Sequence, residues 1–290
     1  MNKVAIVTDT VSHIPQELAD KYDVTLLASC IVMDGKTYPE NEVNLAWFYE
    51  TLPKWREAGN MPSTTAIPVG IFPEVYRQLS QKAEAILYIG QSAKFTPSPD
   101  TARQVRAKIK DELPNTPIEV IDCGTVCGGE MLIVLEAARA VAAGKSLPEV
   151  VEVTNNMIKR INFILLSDDL YYLAKGGRIH KARPWASSKI TNTVLLEASA
   201  ATGGEHRPLA RCKTKGQTLK ALFDIVRQRS EGKKLHVAIE HADAPAEAEQ
   251  LKEKVLSQFE CVEVFINQIG PVVTLHTGVG TRTFSWWHED

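Results

Sequence analysis

The sequence predicts an α/β protein of two α/β domains, the first with a mainly parallel sheet and crossover helices, the second with a mixed or antiparallel sheet plus helices. Three observations lead there. Short β-branched runs alternate with helical patterns through the first half, the mark of strands joined by crossover helices. Beyond that half, extended runs follow one another across short connections, which favours antiparallel pairing. Finally, 290 residues, 44% of them apolar, suffice for one large core or two modest ones without metal or disulfide. The change of pattern places the domains at 1–161 and 162–290.

Residues 4–7, Val-Ala-Ile-Val, read as the first buried strand. Pro15 marks the start of the next helix, with Leu18, Ala19 and Tyr22 as its apolar side. Residues 24–33 read as one extended segment flanking the sheet, and Asp34-Gly35 is a hairpin turn signal. Helical periodicity covers residues 45–58 and 70–81. A strand at 85–89, a helix from Asp100, a strand at 118–121 and a helix at 129–143 follow. A helix over 147–160 closes the first half. In the second half, strands are expected at 163–166, 194–198, 209–213, 235–240 and 262–266, and helices at 217–230 and 245–259.

Charge and cysteine usage exclude several classes of function. With 33 Lys and Arg against 35 Asp and Glu, the formal net charge is −2, which provides no electrostatic footprint for nucleic acid or an anionic membrane. Met1-Asn2-Lys3 runs directly into residues 4–7, too short for a signal-peptide core, and no later apolar run approaches membrane-spanning length. A cytoplasmic protein without integral membrane association is expected. The five cysteines, Cys30, Cys123, Cys127, Cys212 and Cys261, show no metal-ligand spacing and read as reduced thiols, so no metal site is expected.

Four stretches rich in hydroxyl and acidic groups, 8–12, 63–65, 96–98 and 122–125, recur through the first half, mostly at strand ends, the edge where open α/β sheets place ligands. Each alone is explained by caps and turns. Their repetition makes Asp9, Thr10 and Ser98 candidates for lining a pocket. In the string 170–179, Gly176 and Gly177 suit a helix end that turns the chain sharply and directs Arg178 towards the other domain. In 270–280, His276 stands among Thr277, Thr274 and glycines, a setting for proton sharing or anion binding. No phosphate loop, dinucleotide fingerprint or nucleophile elbow is present, so no cofactor is expected. An enzymatic alternative is a cofactor-free hydrolase or phosphotransferase in which His276 is the acid–base group and Asp9 or Asp122 its orienter or the nucleophile.

These strings, in this order, resemble the DegV family, whose members carry a D-S-T-S-D-like opening, T-S-Q-P-S, S-G-T-Y-Q-S-A, L-K-K-G-G-R-I and G-P-V-I-G-T-H-T-G-P-G. The resemblance spans nearly the whole chain. Residues 172–179, Tyr-Leu-Ala-Lys-Gly-Gly-Arg-Ile, and 270–278, from Gly270-Pro271 to His276-Thr277-Gly278, match almost letter for letter. Asp9, Thr10 and Ser12 fit the opening; Thr64-Thr65-Ala66-Ile67-Pro68 keeps the first hydroxyl of T-S-Q-P-S but loses its glutamine and its Pro-Ser pair; and Thr96 stands in place of the family's carboxylate-binding serine. The resemblance implies an EDD-type two-domain fold and non-covalent binding of a long-chain fatty acid, its acyl chain in an apolar tunnel and its carboxylate near the domain junction. It implies Thr64, Thr96, Arg178 and His276 as carboxylate-binding residues, with Gly176, Gly177 and Thr277 nearby. It also implies presentation of the carboxylate to a separate fatty acid kinase, docked near Arg211-Cys212-Lys213-Thr214-Lys215, where Lys213 replaces the usual arginine. Apolar burial supports a carrier: a sixteen-carbon chain gains on the order of 10 kcal/mol before ordering costs.

Overall fold

The computed structural model describes residues 2–179 and 193–290. Strands β1 (Asn2–Asp9), β2 (Val24–Leu27), β6 (Ala83–Gly90) and β7 (Ile118–Asp122) form a parallel sheet in the order β2-β1-β6-β7. Seven of the eight residues of β6 are buried, as expected for a strand covered on both faces. Helix α1 (Gln16–Lys21) connects β1 to β2, α3 (Ile71–Ser80) precedes β6, and α4 (Ser98–Ile109) connects β6 to β7. Helix α2 (Leu45–Ala58) starts where the Asn44 side chain accepts from the Trp47 amide at 2.9 Å and stops at Gly59, whose φ is +70°.

The segment 24–33 is two strands in two sheets. β2 completes the parallel sheet, and β3 (Cys30–Met33) joins β4 (Lys36–Pro39) and β5 (Ser63–Thr65) in a small antiparallel sheet ordered β4-β3-β5. The chain leaves the first sheet at Ser29, whose amide donates to Thr10 Oγ1 at 3.3 Å and whose carbonyl accepts from Glu40 at 2.9 Å. Asp34 and Gly35, both at positive φ, make the β3–β4 turn.

The second large sheet is ordered β10-β9-β8-β13-β11-β12. Its strands are β8 (Asn162–Ser167), β9 (Thr193–Glu197), β10 (Arg207–Cys212), β11 (Leu235–His241), β12 (Cys261–Gln268) and β13 (Arg282–His288). All pairings are antiparallel except β11 with β12. Helices α7 (Tyr171–Lys175), α8 (Lys215–Ser230), α9 (Pro245–Gln258) and α10 (Pro271–Thr277) accompany it. No helix among the described residues is long and apolar enough to cross a membrane.

The two large sheets share one helix. Eleven of the fifteen residues of α5 (Gly128–Ala142) are buried, because α5 packs on β1 and β6 on one side and on β11, β13 and β8 on the other. A helix apolar on all sides requires such a position. Gly128 permits the approach: a Cβ there would lie 2.9 Å from the Ala238 Cβ. Helix α6 (Leu147–Arg160) packs on α5 and ends immediately before β8.

Candidate functional site

The C-terminal edge of the parallel sheet carries the loops that build the site. Asp9 sits at the end of β1, fully buried; it accepts from the Tyr88 hydroxyl and from the Gln91 amide at 3.2 Å, and so ties β1 to the loop after β6. Asp122 ties that loop to the one after β7, accepting from the amides of Ala93 at 3.1 Å and Gly124 at 2.8 Å. Burial, with Tyr88 and Gln91 donating against it, pushes the Asp9 carboxyl up to about 7. Burial likewise raises Glu130, next to Asp9 on α5 and bonded to the Thr8 hydroxyl at 3.0 Å.

Between these loops, α7, α10 and β8 lies a cavity of about 370 Å³. Phe95, Val126, Phe163, Leu165, Leu173 and Val272 supply apolar wall. Thr64, Thr96, Arg178 and His276 also line it, brought from β5, the loop after β6, the end of α7, and α10.

Each of these four side chains is placed by local structure. Arg178 follows a Schellman end of α7, in which the Arg178 amide donates to Leu173 O at 3.0 Å and the Gly177 amide to Ala174 O at 3.2 Å. Gly177 occupies the left-handed position with φ +72°. The turn carries the guanidinium to the carbonyls of Gly176 and, at 3.4 Å, Phe95. Burial lowers the Arg178 pKa, and no carboxylate among the described residues pairs with it. His276 Nε2 lies 2.9 Å from Thr64 Oγ1, and its Nδ1 packs over Gly176. Burial, reinforced by the Arg178 charge, pulls the imidazole pKa down to about 3, so the ring is neutral near pH 7. Thr96 is buried; its hydroxyl accepts from the Ser98 amide at 3.3 Å and lies 3.0 Å from Ser98 Oγ. If the Ser98 hydroxyl also donates, the proton of Thr96 is free to point into the cavity.

Not every residue singled out from the sequence reaches the cavity. Thr277 lines it, although its hydroxyl donates to Val273 O at 3.0 Å. Gly176 lines an adjoining recess with Tyr172 and Lys175. Asp9, Thr10, Ser98 and Gly177 are not among the lining residues, because each has a supporting task instead. Asp9 anchors a loop, Thr10 bonds Glu40, Ser98 opens α4, and Gly177 turns the chain. Asp9 and Asp122, the proposed catalytic partners of His276, both accept from backbone amides of the loop after β6, and Asp122 also from the Gly124 amide. Missed from the sequence were Ser29 and Gln91, which follow strand ends as Thr96 does, and His206, which follows Gly203-Gly204 with no pattern to flag it. The basic stretch 211–215 lies at the end of β10 and the start of α8.

His13, Cys127 and Glu240 have ligand-type atoms within 4.8 Å of one another. Their capacity is already used: Glu240 accepts from the Gly128 amide at 2.8 Å and the Thr283 hydroxyl at 2.6 Å and lies 3.0 Å from His13 Nδ1, while His13 Nε2 accepts from the Gly270 amide at 3.0 Å. Burial holds the Cys127 thiol well above its usual pKa. The cluster therefore reads as a buried polar tie between α10, β11 and the loop after β1.

The fold and cavity together define an α/β protein with a largely apolar cavity that a cation and several hydroxyls also line. A family model described as "Uncharacterised protein, DegV family" matches residues 3–289. The chain belongs to the DegV family. A DegV domain-containing protein of Streptococcus pyogenes serotype M1 is 27% identical over 276 residues, covering 95% of either chain. Among solved structures, a DegV family protein from Thermus thermophilus, described for its fatty acid binding, superposes over 100% of both chains with a TM-score of 0.90 at 23% identity. A stearic acid-binding protein from Eubacterium ventriosum gives a TM-score of 0.86 at 17% identity, over 99% of this chain and 98% of that one. At these identities the two likenesses are of fold.

Proposed function

We propose that this protein binds a long-chain fatty acid non-covalently, with the acyl chain in the apolar chamber and the carboxylate at Thr64, Thr96, Arg178 and His276. The observation that carries the reading is Arg178, a partly buried guanidinium without a carboxylate partner among the described residues, beside a cavity with apolar walls. A buried carboxylate needs a cation and several donors, and the acyl chain needs apolar enclosure. One cavity offers both. The fold shared with proteins described as fatty-acid-binding supports the same reading.

We read the protein as a carrier rather than an enzyme. A His276 ring that is hard to protonate, with Asp9 and Asp122 bonded elsewhere, is poorly suited to acid–base chemistry. The finer elements of the proposal are a cytoplasmic setting, a division into domains at 161/162, and delivery of the carboxylate to a fatty acid kinase. Organic extraction of purified protein followed by mass spectrometry tests the binding itself, with a stoichiometric fatty acid expected. A well-folded preparation that contains no lipid, and whose melting temperature fatty acids do not raise, refutes it.

A further inference from the structure

Helix α10, which brings Val272, Val273 and His276 to the cavity, has no side-chain cap of its own: Gly270 stands at its N-cap position and Pro271 follows. Two side chains from the first half of the chain serve instead. Glu40, just after β4, accepts from the Val272 amide at 3.2 Å, and His13 Nε2, in the loop after β1, accepts from the Gly270 amide at 3.0 Å. The glycine admits both groups, since a Cβ at 270 would lie 2.9 Å from Glu40 Oε2 and 3.3 Å from His13 Nε2. The other ring nitrogen, Nδ1, lies 3.0 Å from Glu240 on β11.

An imidazole that accepts at Nε2 and donates at Nδ1 is neutral. A second proton would put an N–H at Nε2, donor against donor at Gly270. The His13 side chain is only 5% exposed, so the new charge must be met inside. Glu240 and Glu40 are there to meet it, while the Cys127 thiol, the other titratable group beside the ring among the described residues, is kept protonated by burial. Burial opposes the charge, but Glu240 and Glu40 outweigh it and raise the His13 pKa above its ordinary 6.5, although burial also raises Glu40. The ring thus has two competing arrangements, one holding Gly270 and one paired with carboxylates. Resting on the fatty-acid reading above, we infer that His13 is a positioning residue for the ligand: its neutral ring holds α10, and with it His276, at the head group, and protonation releases that hold, so that affinity for the fatty acid falls as pH falls. The fold survives the change, because a raised pKa means that the folded chain binds this proton more tightly than the unfolded chain does.

The test is the affinity for stearic acid, read by displacement of a fluorescent fatty acid between about pH 8 and about pH 5.5, the range over which a histidine titrates. Wild type is compared with His13→Gln, whose amide accepts and donates but gains no proton. The slope with pH, rather than the affinity itself, is the readout. Asp9, at about 7, and the carboxyl of the ligand titrate in both proteins and cancel in the comparison. Across the range the wild type is expected to lose roughly 3- to 10-fold more affinity than the variant, the fold-change of one hydrogen bond. By reciprocity the same factor appears in the wild type alone: NMR titration of the His13 ring should give a midpoint roughly half to one pH unit lower in the loaded protein than in the ligand-free one. That measurement decides if the variant fails to fold. Parallel pH profiles in the two proteins, or a His13 midpoint that stearic acid leaves unmoved, overturn this inference and leave the fatty-acid reading standing. If stearic acid itself does not bind, both fall.

Discussion

Replacing Gly176 with alanine separates ligand binding from folding. The backbone at Gly176 has φ −75°, which alanine adopts freely, so the substitution leaves the turn intact and tightens the unfolded chain slightly. The conflict is with the site. A Cβ at 176 would lie 2.5 Å from His276 Nδ1 and 3.3 Å from both His276 Cε1 and Tyr172 O. Ordinary contact requires the imidazole to retreat by roughly 1 Å, which breaks its 2.9 Å link to the Thr64 hydroxyl. Losing that bond and misplacing donors to a buried carboxylate costs roughly 1–3 kcal/mol of binding, about 5- to 150-fold in affinity. Thermal melting of the ligand-free variant should show a folded protein, lowered only modestly by the displaced ring and its lost bond. Displacement of a fluorescent fatty acid should show the loss. If Gly176→Ala binds within a factor of two of the wild type, His276 and Thr64 do not hold the head group.

Other perturbations probe the remaining parts of the site. Arg178→Met keeps an apolar stem without charge and should weaken fatty acid binding by roughly 1.5–3 kcal/mol, whereas His276→Gln keeps a hydrogen-bonding group and should cost less; calorimetric titration ranks the two. Thr64→Val and Thr96→Val should each weaken binding by roughly 1–3 kcal/mol in a protein that still folds, though less stable for the unpaired His276 ring or Ser98 amide, and unchanged affinity in both would move the head group elsewhere. The folded pKa of Asp9, about 7, lies above its ordinary 3.8, so the folded state retains the proton. Its contribution to stability is complete below about pH 4 and is lost as pH rises through about 7. Asp9→Asn should remove at most about 4 kcal/mol of that decline, and parallel unfolding curves for both proteins across this range would contradict the assignment.

How much of this could be read from the residues depended on the kind of signal. Helices α2 and α6 were legible to the residue, because Asn44 and Ser146 cap amphipathic patterns of fourteen residues each. The Gly-Gly end of α7 was legible from chain chemistry alone. By contrast, β5 is three residues, Ser63-Thr64-Thr65, that look like a loop until β3 pairs with them. Helix α10 begins Pro-Val-Val-Thr, a β-branched run that favours strand; its packing on α2 and α7 and its Gly270 start override local preference. Strand β13, at the centre of the second sheet between β8 and β11, was missed; its alternation of Thr283, Ser285 with Phe284, Trp286 is a strand signal, but one that suggests a half-exposed strand where both faces are buried. Strings that resemble the DegV family's motifs pointed to four residues that line one cavity, but a site assembled from separate loops leaves little trace of its apolar wall. Phe163, Leu165 and Leu173 read as core, and they are core until the cavity is seen between them.

The most direct measurement is calorimetric titration of delipidated protein with stearic acid and, in parallel, with its methyl ester. The ester keeps the whole acyl chain and removes the charge, so it isolates what Arg178 and its neighbours contribute. The account predicts saturable one-to-one binding of the acid and affinity for the ester weaker by at least about tenfold, since hydrogen bonds to a charged group contribute roughly 1.5–3 kcal/mol. Acid and ester binding equally well, or neither binding, would contradict it.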